Sequence, residues 1–136
     1  MTPTDSQLSH VRVHDAMHTG ILTTDPSTPI RVVARLMAEQ HVHAIAVADP
    51  EYARRPWGIV TALDVVAAAA EDSGVNAGEA AAAGAEIVTI ASTDSLDSAA
   101  LLMADRGVSH LIVIDAHSGH PSGILSALDI AAVYAT

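Results

Sequence analysis

A chain of 136 residues with a formal net charge of -10 and no lysine among its six basic residues repels phosphate backbones, which excludes broad nucleic-acid binding. The absence of cysteine excludes disulfides, thiolate metal sites and a cysteine nucleophile, and no run approaches the roughly 20 apolar residues of a membrane span. Half of the residues are apolar but none is Phe, so the core must be built from Ala, Val, Ile, Leu and Met, and so thin a core gains stability by burying surface in an oligomer. A single domain's worth of chain in a soluble, cytoplasmic protein is expected.

Residues 1–10 are polar, carry no apolar signal core and read as a disordered leader. Val11 to Met17 reads as a short turn or helix, and Ile21-Leu22-Thr23 as a short extended stretch. Asp25-Pro26-Ser27-Thr28-Pro29 is loop chemistry ending in a helix start, with Thr28 as N-cap and Pro29 where a missing N–H costs nothing. Apolar residues at 30, 33, 34 and 37 then mark one face of a helix that stops near Gln40. His43 to Ala48 and Trp57 to Val60 read as the two strands of a hairpin, joined by a charged loop containing Arg54 and Arg55. Ala62 to Glu71 reads as a helix, broken at Asp72-Ser73-Gly74 and followed by an Ala-rich connector, residues 73–85.

The pattern then restarts. Ile87 to Ile90 is a strand, and Asp94 or Thr93 caps a helix whose inner face carries Leu96, Ala99, Ala100 and Met103 and whose end is Gly107. Val108 to Ile114 and Ser122 to Leu125 are strands, and the last helix runs from Ile130 onward. A shift of 66 aligns Thr23 with Thr89, Met37 with Met103 and Val47 with Val113, and after the second hairpin loop the offset becomes 65. Gly58-Ile59-Val60-Thr61-Ala62-Leu63-Asp64 then returns as Gly123-Ile124-Leu125-Ser126-Ala127-Leu128-Asp129, identical at five of seven positions. An internal repeat of this kind defines the fold. The expectation is an α/β (α+β) protein of two tandem strand-helix-strand-strand-helix repeats packed about a pseudo-twofold axis, with repeat 1 at 11–72 and repeat 2 at 86–136.

With its Val13-x-Asp15-x-Met17 opening, its Thr28-Pro29 helix start, its Gly107 to Leu111 approach to a strand and its two Gly-apolar-apolar-(Thr/Ser)-x-x-Asp turns, the chain resembles the CBS domain, and the tandem pair resembles a stand-alone Bateman module. The family often has Pro inside the second strand, where Ala46 and Ile112 stand here, and the second repeat has Ala81 and Ala83 in place of the Asp-x-Met opening. The resemblance implies a regulatory or sensor module whose clefts bind adenosine-containing ligands such as AMP, ATP or S-adenosylmethionine, with no required cofactor. It implies that the motif Asp takes the ribose hydroxyls and the Thr/Ser contacts phosphate or ribose. One cleft would use Ser126 and Asp129 with Leu22 and Val42, the other Thr61 and Asp64 with Val88 and Val108. It also implies a homodimer formed through helix faces such as Ile30 to Gln40 and Leu96 to Arg106.

The residues themselves admit two readings of the repeated motif. A carboxylate accepts both hydrogen bonds of a vicinal diol, and the helix N-terminus beside it offers N–H groups to phosphate. The same Thr61-x-x-Asp64 and Ser126-x-x-Asp129 spacing is also a capping box, a local device worth about 1 kcal/mol per helix. The alternative to a ligand sensor is therefore an interaction or dimerisation module that keeps the fold without a nucleotide.

His43 and His110 precede the apolar centres of their strands, where they either touch phosphate or merely line a groove. His10, His14 and His18 recur every four residues, which would align three imidazoles on one helical face, although a solvated face is the favoured reading and no metal site is expected. Enzymatic activity is not expected, because Asp64 and Asp129 fall one to each repeat while acid-base catalysis needs both groups at one reacting centre.

Overall fold

The computed structural model describes residues 7–48, 56–72, 74–84 and 86–136. The Arg54 and Arg55 loop, the first six residues of the leader and parts of the connector lie outside them. The chain forms two compact units, one of residues up to Ile21 together with Val88–Thr136, the other of Leu22–Ile87.

In the unit of residues 22–87, β2 (Thr23–Thr24), β3 (Ala44–Ala48) and β4 (Pro56–Thr61) form a three-stranded sheet, with β2 parallel and β4 antiparallel to β3. The β3–β4 hairpin matches the sequence reading. Helices α2 (Ile30–Gln40), α3 (Ala62–Ala70) and α4 (Ala77–Ala83) pack with it. The face of α2 read from the sequence is the buried one, through Ile30, Val33 and Met37, which meet Ile45, Val47 and Val60 in the core. Pro29, not Thr28, occupies the N-cap position of α2, and its side chain has no acceptor to cap with, while the Thr28 hydroxyl accepts a bond from Thr24 Oγ1 at 2.8 Å. The helix ends at His41, whose backbone is left-handed with φ of 55°.

The Ala-rich connector contains α4, which periodicity did not reveal because alanine marks no face strongly. Asn76 starts this helix with a full capping box to Glu79, and Ala77, Ala80 and Ala81 enter the core. Small side chains are required there. A Cβ on Gly58 of β4 would fall 2.8 Å from the Ala81 Cβ.

In the other unit, β1 (His18–Thr19), β7 (Pro121–Ser126), β6 (His110–Ile114) and β5 (Thr89–Ala91) lie in that order in a four-stranded sheet. The unit also holds a 3-10 turn (Gln7–His10), α1 (Val13–Ala16), α5 (Leu96–Arg106) and α6 (Ala127–Tyr134). Ser95, not Thr93 or Asp94, caps α5 by accepting from the Ser98 N–H, and Gly107 ends it with φ of 66°. The last helix begins at Ala127, three residues earlier than its apolar pattern, because Ser126 caps it.

The opening of the chain belongs to this second sheet. Gln7–His10 buries Leu8, and Val13 is fully buried among Leu96, Leu111, Leu125 and Ile130. The Val13 N–H donates to the Asp94 carbonyl at 2.8 Å, and β1 pairs antiparallel with β7. Gly123 makes this possible, since a side chain there would run into the His18 carbonyl and the Met17 sulfur. The exchange is reciprocal: residues 7–21, which lead into and open repeat 1, pack with repeat 2, while α4 precedes repeat 2 and packs with repeat 1.

Candidate functional site

Both copies of the repeated motif sit where a strand turns directly into a helix. Thr61 ends β4 in extended conformation, with φ of -100° and ψ of 166°, and caps α3. Its Oγ1 accepts from the Asp64 N–H at 3.3 Å, while the Thr61 N–H donates to Asp64 Oδ2 at 2.8 Å. The Thr61 hydroxyl also lies 3.0 Å from the same Oδ2 and donates to it. Ser126 does the same for α6: its Oγ accepts from the Asp129 N–H at 3.1 Å, and its N–H donates to Asp129 Oδ2 at 2.8 Å. The capping-box reading is therefore correct for both helices, and it fixes each carboxylate at a helix N-terminus with one oxygen on the backbone.

What stands over each carboxylate differs. His18, at the start of β1, places Nδ1 3.3 Å from Asp129 Oδ2. The residue 66 positions later is Gly84, whose Cα faces Asp64. A Cβ there would lie 2.8 Å from Oδ1 and 3.0 Å from Oδ2, so a side chain at this position would displace the Asp64 carboxylate. The sequence reading used His18 only as one of a spaced histidine series. Applying the repeat offset to it exposes the His18/Gly84 difference, but nothing in the sequence ties either residue to a motif aspartate.

The remaining candidates divide between the units. Leu22, Val42 and His43 share a unit with Thr61 and Asp64, whereas Val88, Val108 and His110 share one with Ser126 and Asp129. Leu22 is 39% exposed and its carbonyl accepts from Ala46, while the equivalent Val88 is buried and its carbonyl accepts from Ile112. Val42 and Val108 also correspond, each donating its N–H to the methionine carbonyl at the end of the preceding helix, Met37 or Met103.

The two histidines are one register apart. The His43 carbonyl accepts from Ala62 as that of Ser109 does from Ala127, so His43 matches Ser109 and not His110. His110 is the cross-strand partner of Ser126, as Ala44 is of Thr61, and its Nδ1 lies 2.9 Å from Ser109 Oγ.

His10, His14 and His18 fall in three separate short elements, so they do not share the single helical face that their spacing suggested. Among the described residues no group of three or more His, Cys, Asp or Glu side chains is placed to hold a metal. His14 instead pairs with Asp15 at 3.0 Å. A groove of about 510 Å³ runs along β5 between Thr89, Ala91, Asp94, Ser98 and Leu102, and it includes none of the motif residues. Among the described residues no helix is long and apolar enough to cross a membrane.

The CBS domain matches this chain twice, over residues 13–71 and 83–136. The chain belongs to the CBS domain family. Both matched segments end on the capped helix that carries a motif aspartate, so the repeat read from the sequence is the CBS repeat. No curated protein matches the chain by sequence.

Solved CBS structures share its fold. The CBS domain protein PAE2072 from Pyrobaculum aerophilum, complexed with AMP, is 22% identical with a TM-score of 0.77, over 92% of this chain and 98% of that one. The CBS domain pair of protein MJ0100, in complex with 5'-methylthioadenosine and S-adenosyl-L-methionine, is 19% identical with a TM-score of 0.78, over 92% and 96%. CBSX2 in complex with AMP is 22% identical with a TM-score of 0.69, over 89% and 93%. The mixed α and β architecture of this CBS chain, two sheets with six α-helices among the described residues, is that of CBS domain pairs.

Proposed function

We propose that this CBS pair is a regulatory module that binds an adenosine-containing ligand through Asp64 and Asp129. The observation that carries the reading is the identical placement of the two carboxylates. Each is partly buried at a helix N-terminus, with Oδ2 engaged by its own backbone box. Among the described residues no side chain or backbone group hydrogen-bonds to either Oδ1, so each carboxylate has an oxygen available for a ribose hydroxyl. The AMP and S-adenosylmethionine complexes of structures with this fold support the same ligand class. Leu22, Val42, His43, Val88, Val108 and His110 complete the proposed set of ligand contacts. The module would act in the cytoplasm as a homodimer.

A thermal-shift and calorimetric panel of AMP, ATP, S-adenosylmethionine and 5'-methylthioadenosine, with GTP as control, tests the reading. A ligand that binds only the native state raises Tm by mass action, and Asp64→Asn or Asp129→Asn should remove the rise at its own site. No rise with any adenosine compound overturns it.

A second reading has an observation of its own. Both capping boxes are complete without a ligand, which is what an interaction module that keeps the fold through its caps requires. In that case the aspartate variants lower the ligand-free Tm and change nothing else.

A further inference from the structure

We propose that His18 makes the two carboxylate sites unequal: the Asp129 site selects adenosine ligands with an anionic 5' group, and the Asp64 site does not. The inference rests on the adenosine reading given above and assigns a ligand class to each site. His18, Ser126 and Asp129 all lie in one unit, as do Gly84, Thr61 and Asp64 in the other.

The hydrogen-bond donors decide the difference. Asp64 Oδ2 takes two donors from one residue, the Thr61 N–H and the Thr61 hydroxyl. Asp129 Oδ2 takes the Ser126 N–H, and its second neighbour is the His18 ring. The imidazole thus stands in the place of the hydroxyl proton. Ser126 keeps its oxygen on the Asp129 N–H and has its own proton available for a ligand. The Asp129 site therefore presents the Ser126 Oγ–H as a side-chain donor beside the carboxylate that holds the diol, and the His18 Nδ1–H becomes a second when the ring turns from Asp129 to a ligand.

The Asp64 site presents neither. Its hydroxyl proton is committed to the carboxylate, and Gly84, which matches His18 in the repeat, has no side chain to donate. In a chain of net charge -10 without lysine, a phosphate meets general repulsion, so a local donor pair decides where it binds. The His18 side chain is 68% exposed and its contact with Asp129 is long, so the ring is positioned without being locked and can turn to a ligand.

AMP and 5'-methylthioadenosine share the adenosine and differ only in the 5' group, phosphate against methylthio. Their dissociation constants should be measured by calorimetry in the full chain carrying Asp64→Asn, which isolates the Asp129 site, and in Asp129→Asn, which isolates the other. In the Asp64→Asn background, His18→Ala is expected to weaken AMP by roughly tenfold, the loss of one charge-assisted hydrogen bond at an exposed position, and to leave 5'-methylthioadenosine within about twofold. In the Asp129→Asn background, His18→Ala should change neither ligand.

An equal loss of both ligands makes His18 a mere support for the carboxylate and overturns the proposal. Tighter AMP binding in His18→Ala makes the ring a competitor for Asp129 and overturns it too. If AMP binds and the ratio of the two ligands does not move, this inference alone fails. If neither ligand binds the wild-type chain, the adenosine reading fails and takes this one with it.

Discussion

His41 and Gly107 do the same work at the ends of α2 and α5, and only one of them is suited to it. Both are left-handed, with φ of 55° and 66°, and each donates its N–H to a methionine carbonyl four residues back. A residue with a Cβ is strained there by about 1 kcal/mol, which glycine avoids. His41→Gly should therefore raise stability by about 0.5–1 kcal/mol and Gly107→Ala should lower it by a similar amount, both readable by denaturant unfolding. Two loop aspartates, Asp25 exposed and Asp115 half-buried, carry the clearest electrostatic signature. The Ser27 hydroxyl and N–H hold Asp25 below the usual carboxylate value of 3.8, and the backbone N–H groups of Ser118 and His117 do so for Asp115. The charged form is favoured in the fold, so the stability this gives is fully present above 3.8 and disappears as pH falls through the lower native value. NMR titration of the side-chain carboxyls should place both midpoints below 3.8.

The capped helices show how much one hydroxyl contributes to an element. Thr61→Ala and Ser126→Ala should each cost about 1 kcal/mol in unfolding free energy, since each strips the N-terminal cap from a helix rich in alanine and thin in contacts. Close packing between elements is just as local. Gly58→Ala should destabilise the chain by about 1–3 kcal/mol because its new methyl meets Ala81, and Ala81→Gly should recover part of that loss in a double-mutant cycle. These features explain what the sequence showed and what it hid. The 66-residue repeat, the hairpins, the buried face of α2 and both Thr/Ser-x-x-Asp turns were legible, because periodicity and caps are local. Helix α4 was not, since a run of alanines has no apolar side to read. Nor was the contact of His18 with Asp129, which joins residues 111 positions apart and depends on β1 pairing with β7. The register of His43 and His110 was legible, since the shift of 66 pairs His43 with Ser109 and not with His110.

At the scale of the whole molecule the repeat and the folded unit do not coincide. Leu8 and Val13 lie in the core of the unit whose remaining core residues come from repeat 2. Val13→Ala should accordingly cost about 1–3 kcal/mol, the order of the burial it removes, and hydrogen exchange should quicken first in β5, β6 and β7, far along the chain from the substitution. The exchanged openings also bear on what happens when the chain is cut. A break in the peptide bond between Asp72 and Ser73 separates the repeats as sequence, but it leaves residues 7–21 on one fragment and the sheet they cover on the other. It likewise leaves α4 on the second fragment and the Gly58 gap that it fills on the first. Neither fragment should fold by itself, and mixing them should restore both units at once. Co-expressed halves of this protein would then behave as a split reporter, silent apart and assembled only where the two polypeptides meet.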